Sequence, residues 1–432
     1  MSLSQRERKQ ILNTVRKRVL NNHFNAAGVN YEEWARLFDR RSSELLSADI
    51  DAFEGGIQEL LKELGSSHTD FYNERPNQQL PQHVINATLG KFVQGEDQRW
   101  FFLDIFEEGP AERAGIHRGD ILCEVDGVKY SPPEMPPFKT GTKHVLSVSA
   151  PNETAAREIA IEVPLKKGNK NLPPILPPKS VSSRMAAPGI GFLRIAWFPG
   201  AMGLGFSKLL DAAIAALKQQ GCDRLIIDLR GNIGGGLGFA RLASYLCPDR
   251  MPMGYSLTPK RLRRGYKREE LEHVLYPNSR IGFATTLARF IARDKSIFLL
   301  TQGLGPQPFH GKTVLLVNEW TNSAAEMVTS FAAENKFATI VGTKTAGNVL
   351  GAANLKVGSG YWLRLPVFGW YTNTGSSVEG HGVCPDLPVE IQPEELSAGI
   401  DRQLNKAIEL LTSNTVGASI SRADGIKAPD RS

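Results

Sequence analysis

From Gly189 onward, short apolar runs alternate with helix-patterned segments, and this alternation limits the fold more than any other feature of the chain. Ile190–Ile195 reads as a strand and Leu204–Gln219 as a helix. Arg224–Leu229 reads as a strand, and a glycine-rich turn leads from it into a helix after Gly236. The strand Thr313–Val317 is followed by a helix after Ser323 and by a strand at Ala338–Val341. Leu396–Leu411 reads as a closing helix. This is the βαβ pattern of an α/β core.

The remaining sequence has a different texture. Glu7–Leu64 is helical in pattern, with Ile11, Leu12, Val15 and Val19 at helix spacing, and likewise Ile57, Leu60, Leu61 and Leu64. Gln79–Pro164 changes to short strands and turns, with an Asp126-Gly127 hairpin signal. Lys166–Lys179 is polar and then proline-rich, as an extended linker would be. With 432 residues, two or three domains are expected. The expected division is a helical bundle over residues 1–78, a β-rich domain over 79–165, a linker over 166–187, the α/β core with its closing helix over 188–412, and a polar tail over 413–432.

Composition excludes several classes. The balance of +6 is spread over both signs, which suits solubility and not a nucleic-acid footprint. Cys123, Cys222, Cys247 and Cys384 show no metal-ligand spacing, so free thiols are expected. The first residues carry no apolar leader and no run is long enough to span a membrane. A cytoplasmic setting is expected, or a periplasmic one if a leader is missing from this chain.

Three distant segments carry chemistry. Ser323 stands where the strand Thr313–Val317 passes through a polar turn into a helix, which exposes its hydroxyl beside free N–H groups. The local alternative is a plain helix N-cap. Asp228-Leu-Arg-Gly-Asn-Ile-Gly-Gly-Gly-Leu237 brings a strand into a turn whose glycines let backbone N–H groups approach a ligand. No Gly-Lys-Ser/Thr follows, which disfavours a phosphate loop. His68 sits in the polar turn Leu64-Gly-Ser-Ser-His-Thr-Asp-Phe71.

Together these segments resemble peptidase family S41, the tail-specific (C-terminal processing) proteases and their tricorn-like relatives. Asp228-Leu-Arg…Asn232…Gly-Gly is similar to the family's glycine turn, and Asn322-Ser323-Ala-Ala-Glu326 to its nucleophile motif. Gly342-Thr-Lys-Thr-Ala-Gly347 and Glu379-Gly-His-Gly-Val-Cys-Pro-Asp386 resemble its last two blocks, and Glu108–Gly127 resembles a PDZ domain. Asn348 stands where many members carry a dyad lysine, and an amide cannot deprotonate a serine.

The resemblance therefore implies the histidine-dependent branch. Ser323 would be the nucleophile, His68 the base, and Glu379 the carboxylate that orients it, directly or through Ser67. The N–H groups of Gly234 or Gly235 and of Ala324 would form the oxyanion hole, with Asp228, Arg230 and Glu326 holding the turn and helix. His381 and His310 are rival bases. Leu89, Gly90, Lys91 and Phe92 would form the carboxylate-binding loop of the PDZ-like domain. The implied fold is α/β: a crotonase/ClpP-like ββα-repeat protease core with an N-terminal helical bundle and a PDZ-like domain. The implied function is a serine endopeptidase acting on unfolded or tail-exposed polypeptide. The alternative is a non-catalytic relative that binds a peptide or an apolar ligand. No metal or cofactor is implied. The expected partners are a polypeptide and, as an open alternative, further copies of the chain.

Overall fold

The computed structural model describes residues 3–413 apart from residues 27, 76, 154, 166–172, 174, 278, 306–308, 310 and 311. The expected tail beyond Ser413, the polar first part of the expected linker and His310 lie outside the described residues.

A six-stranded sheet organises the α/β core. Its order is Val181–Ala187, Ile190–Ile195, Arg224–Asp228, Thr313–Val317, Thr339–Gly342 and Leu387–Pro388. The first pair is antiparallel and the others are parallel. Alternate residues of each strand face opposite sides. Leu193, Leu225, Ile227, Leu315 and Val317 pack beneath the helices Leu204–Gln219, Phe239–Leu246 and Ala324–Glu334. Phe192, Ile226, Val314, Leu316 and Val341 pack on the helix Arg402–Thr412. Burial on both faces is why the inner strands read as mainly apolar runs.

A second sheet supports the three N-terminal helices, Gln5–Asn22, Tyr31–Ser47 and Ile50–Lys62. In it Tyr361–Thr372 pairs with Asp70–Tyr72, Gly351–Gly358 and Pro252–Leu257. Ile11, Trp34, Phe53 and Leu60 of the helices share one apolar cluster with Leu363 and Leu365 of this sheet. A third, antiparallel sheet holds Ala87–Gln94, Asp97–Ile105, Ile121–Val125, Thr142–Ser149 and Arg157–Val163 around its own core.

Three details depart from the sequence reading. Val181–Ala187, inside the expected linker, is an outer strand paired with Ile190–Ile195. It is half exposed and mixed in polarity, so it lacks the apolar run that marks the inner strands. The expected closing helix is broken into Pro393–Ser397 and Arg402–Thr412. Gly399, at φ 77°, ends the first piece, and the Asp401 carboxylate caps the second by accepting from Leu404 N–H at 3.1 Å. Thr88–Phe92, expected as a loop, lies within the strand Ala87–Gln94, in register with Asp97–Ile105.

Buried charge joins these layers. Arg230 is 1% exposed and donates from Nε and Nη2 to both Asp228 oxygens at 2.8 Å, and from Nη1 to Asp401 at 2.9 Å. Arg118, in the turn that leads into Ile121–Val125 of the third sheet, adds a bond to Asp401 at 3.0 Å. Asp104, also in the third sheet and fully buried, accepts from Asn318 Nδ2 at 2.9 Å and lies 3.6 Å from Arg194 of the core. Burial alone would lift the Asp401 carboxyl, but the Arg230 and Arg118 charges outweigh it and hold it well below the usual range. Such a carboxylate contributes stability above its unfolded pKa of about 4 and loses it as pH falls toward the folded value.

Removing one partner of this network strands a buried charge. Arg230→Met is expected to lower unfolding stability at pH 7 by roughly 3–5 kcal/mol, read from the denaturant midpoint. A loss under about 1 kcal/mol would show that Asp228 has other compensation.

Candidate active site

Ser323 begins the helix Ala324–Glu334 with φ 54° and ψ −116°. An L-residue costs roughly 1–3 kcal/mol in such a region, so the surrounding bonds must hold it there. They are dense. Ser323 N–H donates to Glu326 Oε2 at 3.1 Å, one turn into its own helix. Thr321 Oγ1 donates to the Leu229 carbonyl at 2.9 Å, and Asn322 N–H to the Asn232 carbonyl at 2.9 Å. Asn318 Oδ1 accepts from Gly231 N–H at 2.9 Å. The serine turn and the glycine turn are thus sewn together.

Gly234 lies against the serine. A Cβ there would come within 2.7 Å of Ser323 Cβ and 3.2 Å of its Oγ, and φ is 81°, so both space and backbone demand glycine. The Gly234 N–H, however, is occupied by Asn232 Oδ1 at 2.8 Å. Among the described residues, the Gly235 and Ala324 N–H groups have no internal acceptor. Of the donors expected for an oxyanion, these two remain free to act.

Glu326 is fully buried beneath the serine. Its carboxylate accepts from Ser323 N–H, Thr345 Oγ1 at 2.7 Å, Gly347 N–H at 2.6 Å and Asn348 N–H at 2.8 Å. Burial pushes its carboxyl up, and the four donors oppose that shift. Asn348 Nδ2 donates to Asn322 Oδ1 at 2.8 Å, so the position that resembles a dyad lysine holds an amide engaged beside the serine.

The next N–H in the same loop serves the second carboxylate. Val349 N–H donates to Glu379 Oε2 at 2.7 Å, and Ser67 N–H donates to Glu379 Oε1 at 3.3 Å. Ser67 Oγ lies 2.9 Å from His68 Nδ1. Glu379 thus bonds the backbone of Ser67, and it is the Ser67 hydroxyl, not Glu379, that meets His68. With Nδ1–H donating to Ser67, Nε2 keeps the lone pair that a base requires. His68 is half-buried with φ 59°, and its imidazole is pushed down to about 3 by burial, then by the charges of Arg364 and His83. It is neutral at pH 7. His68 makes no hydrogen bond to Ser323 in this structure, and such contacts often tighten only when a ligand is bound.

The other candidates fall elsewhere. His381 is exposed in a turn, not on a strand shared with Glu379, and its Nδ1 is held 2.9 Å from the Glu379 carbonyl. Leu89, Gly90, Lys91 and Phe92 do not form an N–H nest, because their strand pairs with Asp97–Ile105. The Leu89 carbonyl accepts from Trp320 Nε1 of the serine turn at 2.9 Å, and Phe101 fills the space above Gly90. Sequence reasoning missed Thr345 and Val349, whose bonds tie the two carboxylates to one loop. Among the described residues, no cluster of His, Cys, Asp and Glu could hold a metal, and no helix is long and apolar enough to cross a membrane.

Comparison with known proteins agrees with this geometry. Residues 189–389 match the model of peptidase family S41. A carboxyl-terminal-processing protease of Synechocystis sp. is 26% identical over 313 residues, covering 70% of this chain and 62% of that protein. The carboxy-terminal processing protease CtpA of Bacillus subtilis is 23% identical over 352 residues, covering 79% and 65%. Tricorn protease homolog 1 of Streptomyces coelicolor is 28% identical over 184 residues, covering 41% and 17%. This chain thus spans less than two thirds of these relatives' own length. Among solved structures, a photosystem II D1 C-terminal processing protease superposes with a TM-score of 0.52 at 18% identity, covering 95% of this chain and 98% of that one. Mature CPAF complexed with lactacystin gives 0.57 at 16% identity, covering 94% and 99%. At these identities the likeness establishes a shared fold.

The buried setting of His68 and His83 has a direct consequence. Both imidazoles are expected to stay neutral at pH 5 in histidine NMR spectra of the folded protein, because burial first and the Arg364 charge second depress them, His83 to about 4. A His68 midpoint near the ordinary value of about 6.5 would contradict that environment.

Proposed function

The chain carries a domain of peptidase family S41 across residues 189–389, and from that premise we propose that it is a serine endopeptidase that cleaves unfolded or tail-exposed polypeptide through an acyl-enzyme on Ser323. One observation carries the reading. Two successive N–H groups, of Asn348 and Val349, are divided between Glu326 under the serine and Glu379 beside the histidine segment. Segments far apart in the chain are tied to one loop, which supports reading them as one catalytic unit.

In the proposed reaction His68 Nε2 takes the proton of Ser323 Oγ as the oxygen attacks the scissile carbonyl. The Gly235 and Ala324 N–H groups receive the oxyanion, Gly234 gives it room, and loss of one donor would cost roughly 3–4 kcal/mol of transition-state stabilisation. His68 returns the proton to the leaving amine, and water then repeats the sequence on the acyl-enzyme. Glu379 acts through Ser67 to hold the tautomer and to stabilise the imidazolium.

The domain assignment belongs to the same proposal. The core would be a ββα-repeat of the crotonase type, the N-terminal helices a bundle over residues 1–78, and the third sheet a PDZ-like module. That module would take a chain end by strand addition along its outermost strand, Ala87–Gln94.

A fluorophosphonate probe tests the assignment. The modified residue should map to Ser323, and Ser323→Ala should remove both the label and peptide cleavage. His68→Ala is expected to lower kcat/KM by at least about 10⁴-fold. Label that persists in His68→Ala would sink the triad. Peptide binding that survives Ser323→Ala, with no cleavage by the unmutated chain, would favour the binding scaffold.

A further inference from the structure

Two residues past His68, the strand Asp70–Tyr72 joins Tyr361–Thr372 with Asp70 opposite Arg364 and Phe71 opposite Leu363. On the other side of Arg364, Asn354 is its partner in Gly351–Gly358, and Leu355 is the partner of Leu363. Side chains alternate along strands. Phe71, Leu363 and Leu355 therefore face the N-terminal helices, where they join the apolar cluster. Asp70, Arg364 and Asn354 form a polar row on the opposite face, running away from the His68 turn.

That row is poorly satisfied. Arg364 is half-buried, yet it makes no hydrogen bond or ion pair with any described residue. Asp70 faces it across the strand pair but is held by Gln58 Nε2 at 2.6 Å. Among the described residues Asn354 Oδ1 is buried without a partner, and so is Nδ1 of His83, an imidazole depressed by burial and then by the same Arg364 charge. Native structures rarely leave several buried polar atoms unpaired at one place, and a half-buried guanidinium on which the facing Asp70 carboxylate acts only through space, without a hydrogen bond, keeps its N–H donors for a further acceptor.

We propose that Arg364 is a specificity residue that receives a carboxylate of the bound polypeptide, beside His68. The inference rests on the serine-peptidase reading and extends it to substrate choice. The guanidinium fork matches a carboxylate with two parallel bonds, Asn354 is its neighbour in the sheet, and His83 lies within reach of its charge. A base that protonates the leaving amine stands on the C-terminal side of the scissile bond. The carboxylate at Arg364 therefore lies on that side. It is either the chain end itself or an aspartate or glutamate following the cleaved bond.

Matched peptides separate the sources. One set carries a free or an amidated C-terminus, and a second carries glutamate or glutamine after the cleavage site. The unmutated chain is expected to prefer the charged member of one set by at least about tenfold in kcat/KM, the range of a charge-assisted bond. Sensitivity to amidation identifies the chain end, and sensitivity to glutamine identifies the side chain. In Arg364→Gln the ratio should collapse to about one, mainly through KM. Arg364→Lys, which keeps the charge and loses the fork, should retain a weaker preference. An unchanged ratio in Arg364→Gln overturns the proposal, as does a folded Arg364→Lys with no preference. Binding of the same peptides to Ser323→Ala, followed by anisotropy with and without Arg364→Gln, reads the contrast without turnover. If the unmutated chain neither labels nor cleaves, the peptidase reading fails, while this binding contrast still decides the role of Arg364.

Discussion

The site depends on the burial of Glu326. A carboxylate with no exposure, one turn below Ser323, must have its oxygens satisfied from within. It draws Ser323 N–H from its own helix, and Thr345, Gly347 and Asn348 from the loop across. Four donors on one group fix the serine backbone in its costly conformation and hold the loop against it. The loop's next N–H then reaches Glu379, and through Ser67 the position of His68 follows. A single buried acid thus orders both halves of a site whose members are remote in sequence.

The same economy governs the third sheet. Asp104 and Trp320 place its strands directly on the serine turn: Asp104 accepts from Asn318, and Trp320 donates to Leu89. Asn318 in turn holds Gly231 of the glycine turn. A shift of the third sheet would have to disturb residues that shape the candidate site, because the contacts are buried or part-buried hydrogen bonds, one of them to the Asp104 carboxylate, and not loose surface pairs. The network Asp228–Arg230–Asp401–Arg118 anchors the same junction from the side of the closing helix.

Much of this is legible in the chain and part is not. Ile190–Ile195 and Thr313–Val317 announce themselves because burial on both faces keeps them almost wholly apolar, with Arg194 and Thr313 as the polar members. Val181–Ala187 does not, since an outer strand with mixed side chains looks like the end of a linker. Gly399 hides a helix break, because one glycine inside a periodic pattern is also tolerated in an unbroken helix. The motif around Ser323 and the turn around His68 are readable by resemblance. The division of Asn348 and Val349 between two carboxylates is not, because it depends on which backbone groups the fold brings within reach. Ala87–Gln94 misleads for a related reason: its resemblance to a carboxylate-binding loop says nothing of Phe101, whose packing over Gly90 makes glycine the residue a strand needs there. Arg364 gives no signal at all, as a lone arginine in an otherwise apolar strand reads as a solvated edge residue.

Whether Ser323, His68 and Glu379 act as one unit is decided by the crystal structure of the chain with a peptidyl phosphonate bound covalently at Ser323. A single catalytic unit requires His68 Nε2 within hydrogen-bond distance of the adduct, Ser67 still bridging His68 to Glu379, and the phosphonyl oxygen on the Gly235 and Ala324 N–H groups. An adduct with His68 out of hydrogen-bond reach, or with another side chain in its place beside the oxygen, would contradict the triad.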